Sequence, residues 1–150
     1  MKKLLLVVML AACGGAPKAA DSLADSIREY NEGVRWGRFE VAAKNIPQKQ
    51  RSQFVDDNDE RAKDVKITQY DIVNVDQKGK REAKVHIKME WYSDKEMLVH
   101  ETHAVQTWEK QGKDWMMVDE SRLKGSEMPG LQEPLAKDDT GSGNKPDQPD

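Results

Sequence analysis

Polar and apolar residues alternate without exception in Lys84-Val85-His86-Ile87-Lys88-Met89-Glu90-Trp91, the clearest structural pattern in the chain. Successive side chains of a β-strand point to opposite faces, so this strand has one apolar face and one polar face. The apolar row consists of Val85, Ile87, Met89 and Trp91. The pattern predicts a strand of an antiparallel sheet that buries one face and exposes the other.

The same two-residue period continues on both sides of this strand. Upstream it begins at Val65 and changes phase around Thr68-Gln69-Tyr70, which predicts a β-bulge. Downstream, 97–109 and 115–118 predict two further strands. Short turns rich in Gly, Asp, Ser and Lys separate the four segments, so the sequence predicts a four-stranded antiparallel meander.

Upstream of Val65 the apolar spacing is helical rather than alternating. The first helix carries its apolar residues on one face, with Asp21 or Ser22 as its cap: Leu23, Ile27, Tyr30 and Val34. A break is expected between Gly33 and Arg38, followed by shorter helical segments at 39–43 and 48–57. Helices followed by a meander predict an α+β domain with N-terminal helices packed on a curved four-stranded sheet.

The first twelve residues predict a secretory signal peptide. Met1-Lys2-Lys3 is basic, and an apolar run of nine residues follows it. A membrane-spanning helix needs about 20 apolar residues, so this run is too short to span a bilayer.

Leu10-Ala11-Ala12-Cys13 resembles the lipobox of bacterial lipoproteins. The resemblance implies cleavage before Cys13, diacylglycerol on its thiol and acylation of the new amino terminus, which together anchor the chain to a membrane. Gly14 follows the cysteine, and the absence of Asp at that position resembles lipoproteins sorted to the outer membrane. The resemblance therefore implies an envelope protein that faces the periplasm from the outer membrane, in preference to the inner membrane.

Composition divides the chain into four parts. Residues 1–12 are the predicted signal, 13–21 a lipidated tether, 22–123 the α+β domain and 124–150 a tail. The tail is rich in Gly, Pro, Ser and charged residues, which predicts disorder. A single cysteine excludes an intramolecular disulfide.

The order of elements is similar to the NTF2-like (cystatin-like) superfamily, in which a curved sheet wraps an N-terminal helix into a cone. The features that carry the resemblance span residues 22–120 and include the bulged strand at Tyr70 and the hairpin from Trp108 to Trp115. Enzymes of that superfamily place Asp, His or Tyr in the cone as an acid or base. The resemblance therefore adds a possible active site to the fold.

The candidate pocket-lining residues are Glu101, His103, Trp91 and Trp108. Pairing Trp91 with Val99 places Glu101 and His103 on the apolar face, whereas pairing it with Leu98 places His100 and Thr102 there. A slip of one residue exchanges the two faces, and the turn does not decide between them. The tryptophans are expected to form a ligand-stacking wall or core, with Trp108 packed against Trp115 in the second case.

We expect a non-catalytic binding domain on a lipid anchor. No nucleophile motif, phosphate loop, metal pattern or cofactor fingerprint occurs, so we expect no catalytic residues, metal or cofactor. The expected partners are the membrane, through lipid on Cys13, and an unknown protein or small ligand. Nucleic acid is not expected, because the chain carries net charge −3 and no basic aromatic cluster. The alternative is a tethered NTF2-like enzyme that uses a Glu–His pair as acid and base.

Overall fold

The computed structural model describes residues 22–134, so the predicted signal, Cys13 and the tether lie outside the described residues. Three α-helices and two short 3-10 turns precede four strands. The elements are α1 Leu23–Arg35, α2 Phe39–Ala42, α3 Arg51–Arg61, β1 Val65–Lys78, β2 Glu82–Ser93, β3 Val99–Gln111 and β4 Asp114–Gly125. The predicted α+β class, with helices on a four-stranded antiparallel meander, is confirmed. No helix within 22–134 is long and apolar enough to cross a membrane.

Helix α1 begins at a serine cap and ends just before a glycine with a positive φ. The Ser22 hydroxyl accepts a hydrogen bond from the Asp25 backbone amide at 3.2 Å, which satisfies one of the free donors of the first turn. The chain leaves the helix at Trp36, and Gly37 adopts a φ of +65°. Gly33 stays within the helix, where a Cβ would lie 2.9 Å from Ala42 Cβ. The absence of a side chain at Gly33 therefore lets α2 pack directly on α1.

The strands lie in the order β1-β2-β3-β4, each antiparallel to its neighbour. The predicted bulge is present, because the β1–β2 register shifts between Ile67 and Gln69. A second shift lies between Ile72 and Asn74. Bulges bend a strand and increase its twist, so they curve this sheet around the helices.

The inner face of the sheet forms the core together with α1. On β2 every second residue from Ala83 to Trp91 is buried, which confirms the predicted apolar face. Trp108 is fully buried and its ring meets Tyr30 of α1 edge-to-face, with centroids 5.9 Å apart. The expected Trp108–Trp115 cross-strand pair does not form, because the hairpin closes with Gln111 opposite Asp114, and this register places Met117 opposite Trp108.

The tail was predicted to begin at residue 124, but the folded domain continues beyond that residue. Strand β4 extends to Gly125, and the next residues, 126–134, pack on the domain as a C-terminal segment. Met128 and Leu131 are only 3% and 9% exposed. The Arg122 guanidinium, whose Nε donates to Glu133 at 2.8 Å, holds the end of this segment. The polar neighbours of Met128 and Leu131 predicted at most a loose docking of these residues, whereas both are buried in the core. Residues 135–150 lie outside the described range.

We predict that Met128→Ala destabilises the domain by about 2–5 kcal/mol, because it removes a buried side chain from the core. The matched control is Leu123→Ala, since Leu123 is 49% exposed and its truncation should change stability by less than about 0.5 kcal/mol. Urea unfolding monitored by tryptophan fluorescence measures both. Equal, small effects would show that the C-terminal segment does not belong to the folded unit.

Candidate functional site

The β2–β3 register decides where the candidate site residues lie. Trp91 pairs with His100, and Met89 pairs with Thr102. The inner face therefore receives His100 and Thr102, in the same orientation as the second of the two expected alternatives. Glu101 and His103 lie on the opposite, outer face.

On the outer face, Glu101 and His103 are neighbours but line no interior pocket. His103 Nε2 lies 3.1 Å from Glu101 Oε1, and Lys88 Nζ lies 3.9 Å from Glu101 Oε2. The Glu101 side chain is half exposed. Glu101, His103 and Lys88 form a surface ion-pair network. The prediction that Glu101 and His103 line a pocket is wrong, because the β2–β3 register places both on the outer face.

Trp91 and Trp108 do lie on the inner face, where they are packed rather than open. Trp91 is stacked on His100 with ring centroids 4.4 Å apart, and its Nε1 donates to Thr102 Oγ1 at 2.9 Å. Trp108 has no exposed surface. Both tryptophans therefore act as core residues, and neither presents a free ring face to a ligand.

A connected group of polar side chains lies inside the cone, between α1 and strands β3 and β4. We call it the inner polar cluster. It consists of Tyr30, Asn31, Gln106, Trp108 and Glu120. Asn31 is held against the helix by a 2.8 Å bond from its Nδ2 to the Ile27 carbonyl.

Gln106 is the centre of this cluster and is fully buried. Its Nε2 donates to Asn31 Oδ1 at 2.9 Å and to Glu120 Oε1 at 2.8 Å. Its Oε1 accepts from Trp108 Nε1 at 3.2 Å. An unpaired buried amide would cost free energy, and here each polar atom has a partner. Among residues 22–134, no buried side-chain nitrogen or oxygen lacks one.

Tyr30 and Glu120 form the ionisable end of the cluster. The Tyr30 hydroxyl donates to Glu120 Oε2 at 3.1 Å. Burial raises the pKa of Tyr30 well above its ordinary value of 10.0, and the negative charge of Glu120 raises it further. Tyr30 is therefore protonated at neutral pH, and its one proton is committed to Glu120.

A groove of about 480 Å³ opens above Tyr30, between α3, β4 and the C-terminal segment. Glu120 lies on one wall, and Phe54 and Arg61 lie on another. The volume falls in the range of small-ligand sites. No three His, Cys, Asp or Glu side chains in the described part of the chain are placed to hold a metal ion.

A second groove, of about 380 Å³, lies where the end of α1 meets the start of β1. We call it the Trp36 groove. It is lined mainly by apolar and aromatic residues, which include Val34, Trp36, Phe39, Val65, Ile67 and Tyr92. Trp36 is 61% exposed, yet its Nε1 is fixed by a 2.7 Å bond to Glu32, and Arg35 lies over its ring at 4.8 Å. The exposed ring is thus held in place before any partner binds.

One residue of the inner polar cluster could have been recognised from the sequence, and this signal was missed. Asn31 adjoins the predicted apolar face of α1, where a polar residue needs a buried partner. Gln106 falls on the buried face only once the β3 register is known, and Glu120 lies beyond the predicted end of the last strand. The cluster could therefore not be predicted from periodicity alone, because its position depends on the β3 register and on where β4 ends.

No family model and no curated protein matches this sequence. Its fold is similar to that of a SEC-C motif containing protein from Rhodopseudomonas palustris, with a TM-score of 0.60, 13% identity and coverage of 71% of this chain and 83% of that one. It is also similar to a ketosteroid isomerase-like protein from Erwinia carotovora atroseptica, with a TM-score of 0.57, 10% identity and coverage of 68% and 94%. The intermembrane space region of chloroplast protein ARC6 aligns with a TM-score of 0.50, 13% identity and coverage of 68% and 93%. At these identities the likeness establishes the fold alone, an NTF2-like α+β fold.

We predict that the free energy of unfolding falls as the pH rises above 10, partly because of Tyr30. The unfolded chain loses the tyrosine proton near pH 10, whereas the folded chain retains it, so deprotonation favours unfolding by up to about 1.4 kcal/mol per pH unit. Tyr70, whose pKa burial and Glu32 raise to about 12, contributes in the same direction. Tyr30→Phe should give a shallower decline than the wild type in urea unfolding between pH 10 and 12. Identical slopes would contradict the assignment.

Proposed function

We propose that this chain is a lipid-anchored envelope protein whose NTF2-like domain binds a protein partner and catalyses no reaction. The lipobox-like Leu10-Ala11-Ala12-Cys13 supports the anchor. Two or more acyl chains give a stable anchor, whereas a single chain binds a membrane only marginally. The proposal places the folded domain near a membrane surface, at the end of a short tether.

The filled interior of the cone carries the binding part of the proposal. The space that could hold a substrate contains Trp108 and Gln106, both with no exposed surface. The hydrogen bonds of the inner polar cluster already engage the amide of Gln106 and the hydroxyl of Tyr30. The interior around Trp108 and Gln106 is packed and hydrogen-bonded, so it stabilises the fold, and the open space lies outside it, in the groove above Tyr30.

Apolar surface outside the core supports a protein as the partner. Trp36 and Arg35 at the rim of the Trp36 groove are of the types that dominate binding energy in protein interfaces. Nearby, the turn before β3 exposes Met97, Leu98 and Val99, which are 74%, 63% and 71% exposed. The turn joins this groove through Tyr92, which lines it and pairs with Val99. An apolar area of this kind marks an interaction surface.

A second candidate function is favoured by the Tyr30–Glu120 pair. The pair lines an open groove, and a tyrosine that stays protonated can donate a hydrogen bond to a developing negative charge. This pair replaces Glu101 and His103 as the acid–base candidate. We rank this candidate second because the Tyr30 hydroxyl already donates its hydrogen bond to Glu120.

We predict that Cys13 carries the lipid. Wild-type protein extracted from membranes should show acyl chains on the peptide that starts at residue 13, whereas Cys13→Ala should remain uncleaved and unacylated. Gly14→Ala keeps the cysteine and serves as the control. Mass spectrometry of the N-terminal peptide measures the acylation of the wild type and of both variants. An unmodified Cys13 in the wild type would contradict the proposed lipid anchor.

We predict that the Trp36 groove contacts a protein in the cell. A photo-crosslinking benzoylphenylalanine at position 36 should give a discrete adduct in intact cells, because this exposed ring lies in the proposed interface. The same amino acid in place of Leu123, a half-exposed residue of β4, should give none. Gel mobility followed by mass spectrometry measures both adducts.

Catalytic turnover would contradict the proposal that the domain only binds. The mature protein should show no activity on ester, steroid-like or epoxide substrates. Robust turnover that disappears in Tyr30→Phe or Glu120→Gln, and survives in Glu101→Gln on the outer face, would establish the second candidate and overturn the first.

A further inference from the structure

Two of the three sheet turns lie side by side at one end of the sheet. The β1–β2 turn and the β3–β4 turn are neighbours because Glu82 pairs with Glu109, and the Lys110 amide donates to the Arg81 carbonyl at 2.8 Å. We call residues 78–81 and 110–113 the basic tips. The β2–β3 turn, with Met97 to Val99, lies at the other end.

The basic tips carry concentrated positive charge on an acidic protein. Their eight residues contain no acidic residue and five basic ones, Lys78, Lys80, Arg81, Lys110 and Lys113. The whole chain has 24 basic and 27 acidic residues. All five are exposed except Lys110, which is half-buried, and none forms an ion pair with another residue of 22–134. Three carboxylates lie at the same end, because Lys78 pairs with Glu82, Glu82 pairs with Glu109, and Gln111 pairs with Asp114. Five cations against three carboxylates leave a net charge of +2 at this end of an acidic protein, which favours an anionic partner.

Helix α1 points its first turn toward the same pole. Val34 lines a groove with the start of β1, whereas Tyr70, further along β1, donates from its hydroxyl to Glu32 at 3.1 Å. The helix therefore runs antiparallel to β1. Leu23 lies about 13 Å further along the helix from Glu32, level with residue 74 of β1 or nearer the tips. Asn31 contacts Gln106, which pairs through Val85 with Val75, and this agrees with the direction of the helix.

The chain that precedes α1 has the length to bring the tips to a membrane. From residue 74 to Gly79 the hairpin extends at most about 17 Å beyond the start of the helix. Residues 14–21 span at most about 26–29 Å when extended. The tether to Cys13 is therefore long enough for the tips to reach the surface in which the acyl chains lie, and short enough to keep the domain there.

We propose that the basic tips are a membrane-docking surface that binds the headgroups of anionic phospholipids. This binding orients the domain with the basic tips toward the bilayer and the β2–β3 turn away from it. The inference rests on the proposed lipid anchor, which supplies the first attachment. Each Lys or Arg near an anionic surface strengthens binding by about fivefold at moderate salt, so the excess of cations at the tips makes a second attachment that adds to the lipid anchor. The attraction is electrostatic and is weakened by salt.

The test uses the processed lipoprotein reconstituted into vesicles. A fluorescent donor is attached at Gln111→Cys in the tips or at Leu98→Cys at the opposite end, about 40 Å away along β3, and the acceptor is carried on lipid headgroups. In vesicles of equal phosphatidylglycerol and phosphatidylcholine at 0.1 M salt, energy transfer from position 111 should exceed that from position 98 at least twofold. In pure phosphatidylcholine, or at 0.5 M salt, the two should become equal.

Charge variants separate docking from anchoring. Lys78→Gln, Lys80→Gln and Lys113→Gln together should abolish the difference between positions 111 and 98, whereas Lys49→Gln, Lys63→Gln and Lys95→Gln, distant from the tips, should preserve it. Protein that leaves the vesicles on washing refutes the lipid anchor. Protein that stays but shows equal transfer in anionic vesicles, or a difference that persists in pure phosphatidylcholine, overturns the docking surface and leaves the anchor standing.

Discussion

Burial of the inner face of β2 is the constraint on which the other packing depends. Val85 and Ile87 have no exposed surface, and Ala83 and Trp91 are almost as deeply buried. Both edges of β2 are paired, so only an element lying across the sheet can cover this row. Helix α1 does so because its apolar face presents Ile27 and Tyr30 at helical spacing. The close approach of α2 at Gly33 and the edge-to-face ring of Trp108 follow from that placement.

The same burial creates the inner polar cluster. Placing α1 over β3 brings Asn31 above Gln106, and two amides in a dry interior are stable only when their hydrogen bonds are complete. Trp108 and Glu120 supply the remaining partners, and Tyr30 closes the chain of contacts at the groove. The cluster therefore specifies how α1, β3 and β4 fit together. A domain of this fold can use its interior in this way without any chemistry, which is why the fold alone does not identify a reaction.

Sequence reasoning predicted the elements well and the site poorly, for one physical reason. Periodicity identifies which residues share a face, so α1, the bulge in β1 and the buried row of β2 were found. Periodicity does not state which face of β3 meets that row, because the seven-residue connection between Tyr92 and His100 permits either phase. Glu101 and His103 were candidates for the interior only while that phase was open. Met128 and Leu131 were expected to dock only loosely, because their burial depends on contacts distant in sequence, in a stretch whose composition is polar.

The two ends of the sheet are chemically different, and the difference has a geometric meaning. One end holds the basic tips, toward which the first turn of α1 points, while the other holds the Trp36 groove and the apolar turn before β3. Strand β3 separates them by about 40 Å. If the cationic end rests on the bilayer, the apolar end projects away from it by roughly that distance, beyond the headgroup region and toward proteins in the aqueous space. Anchor, tips and Trp36 groove would then lie in one line, and the short tether would fix the height at which the binding surface is presented.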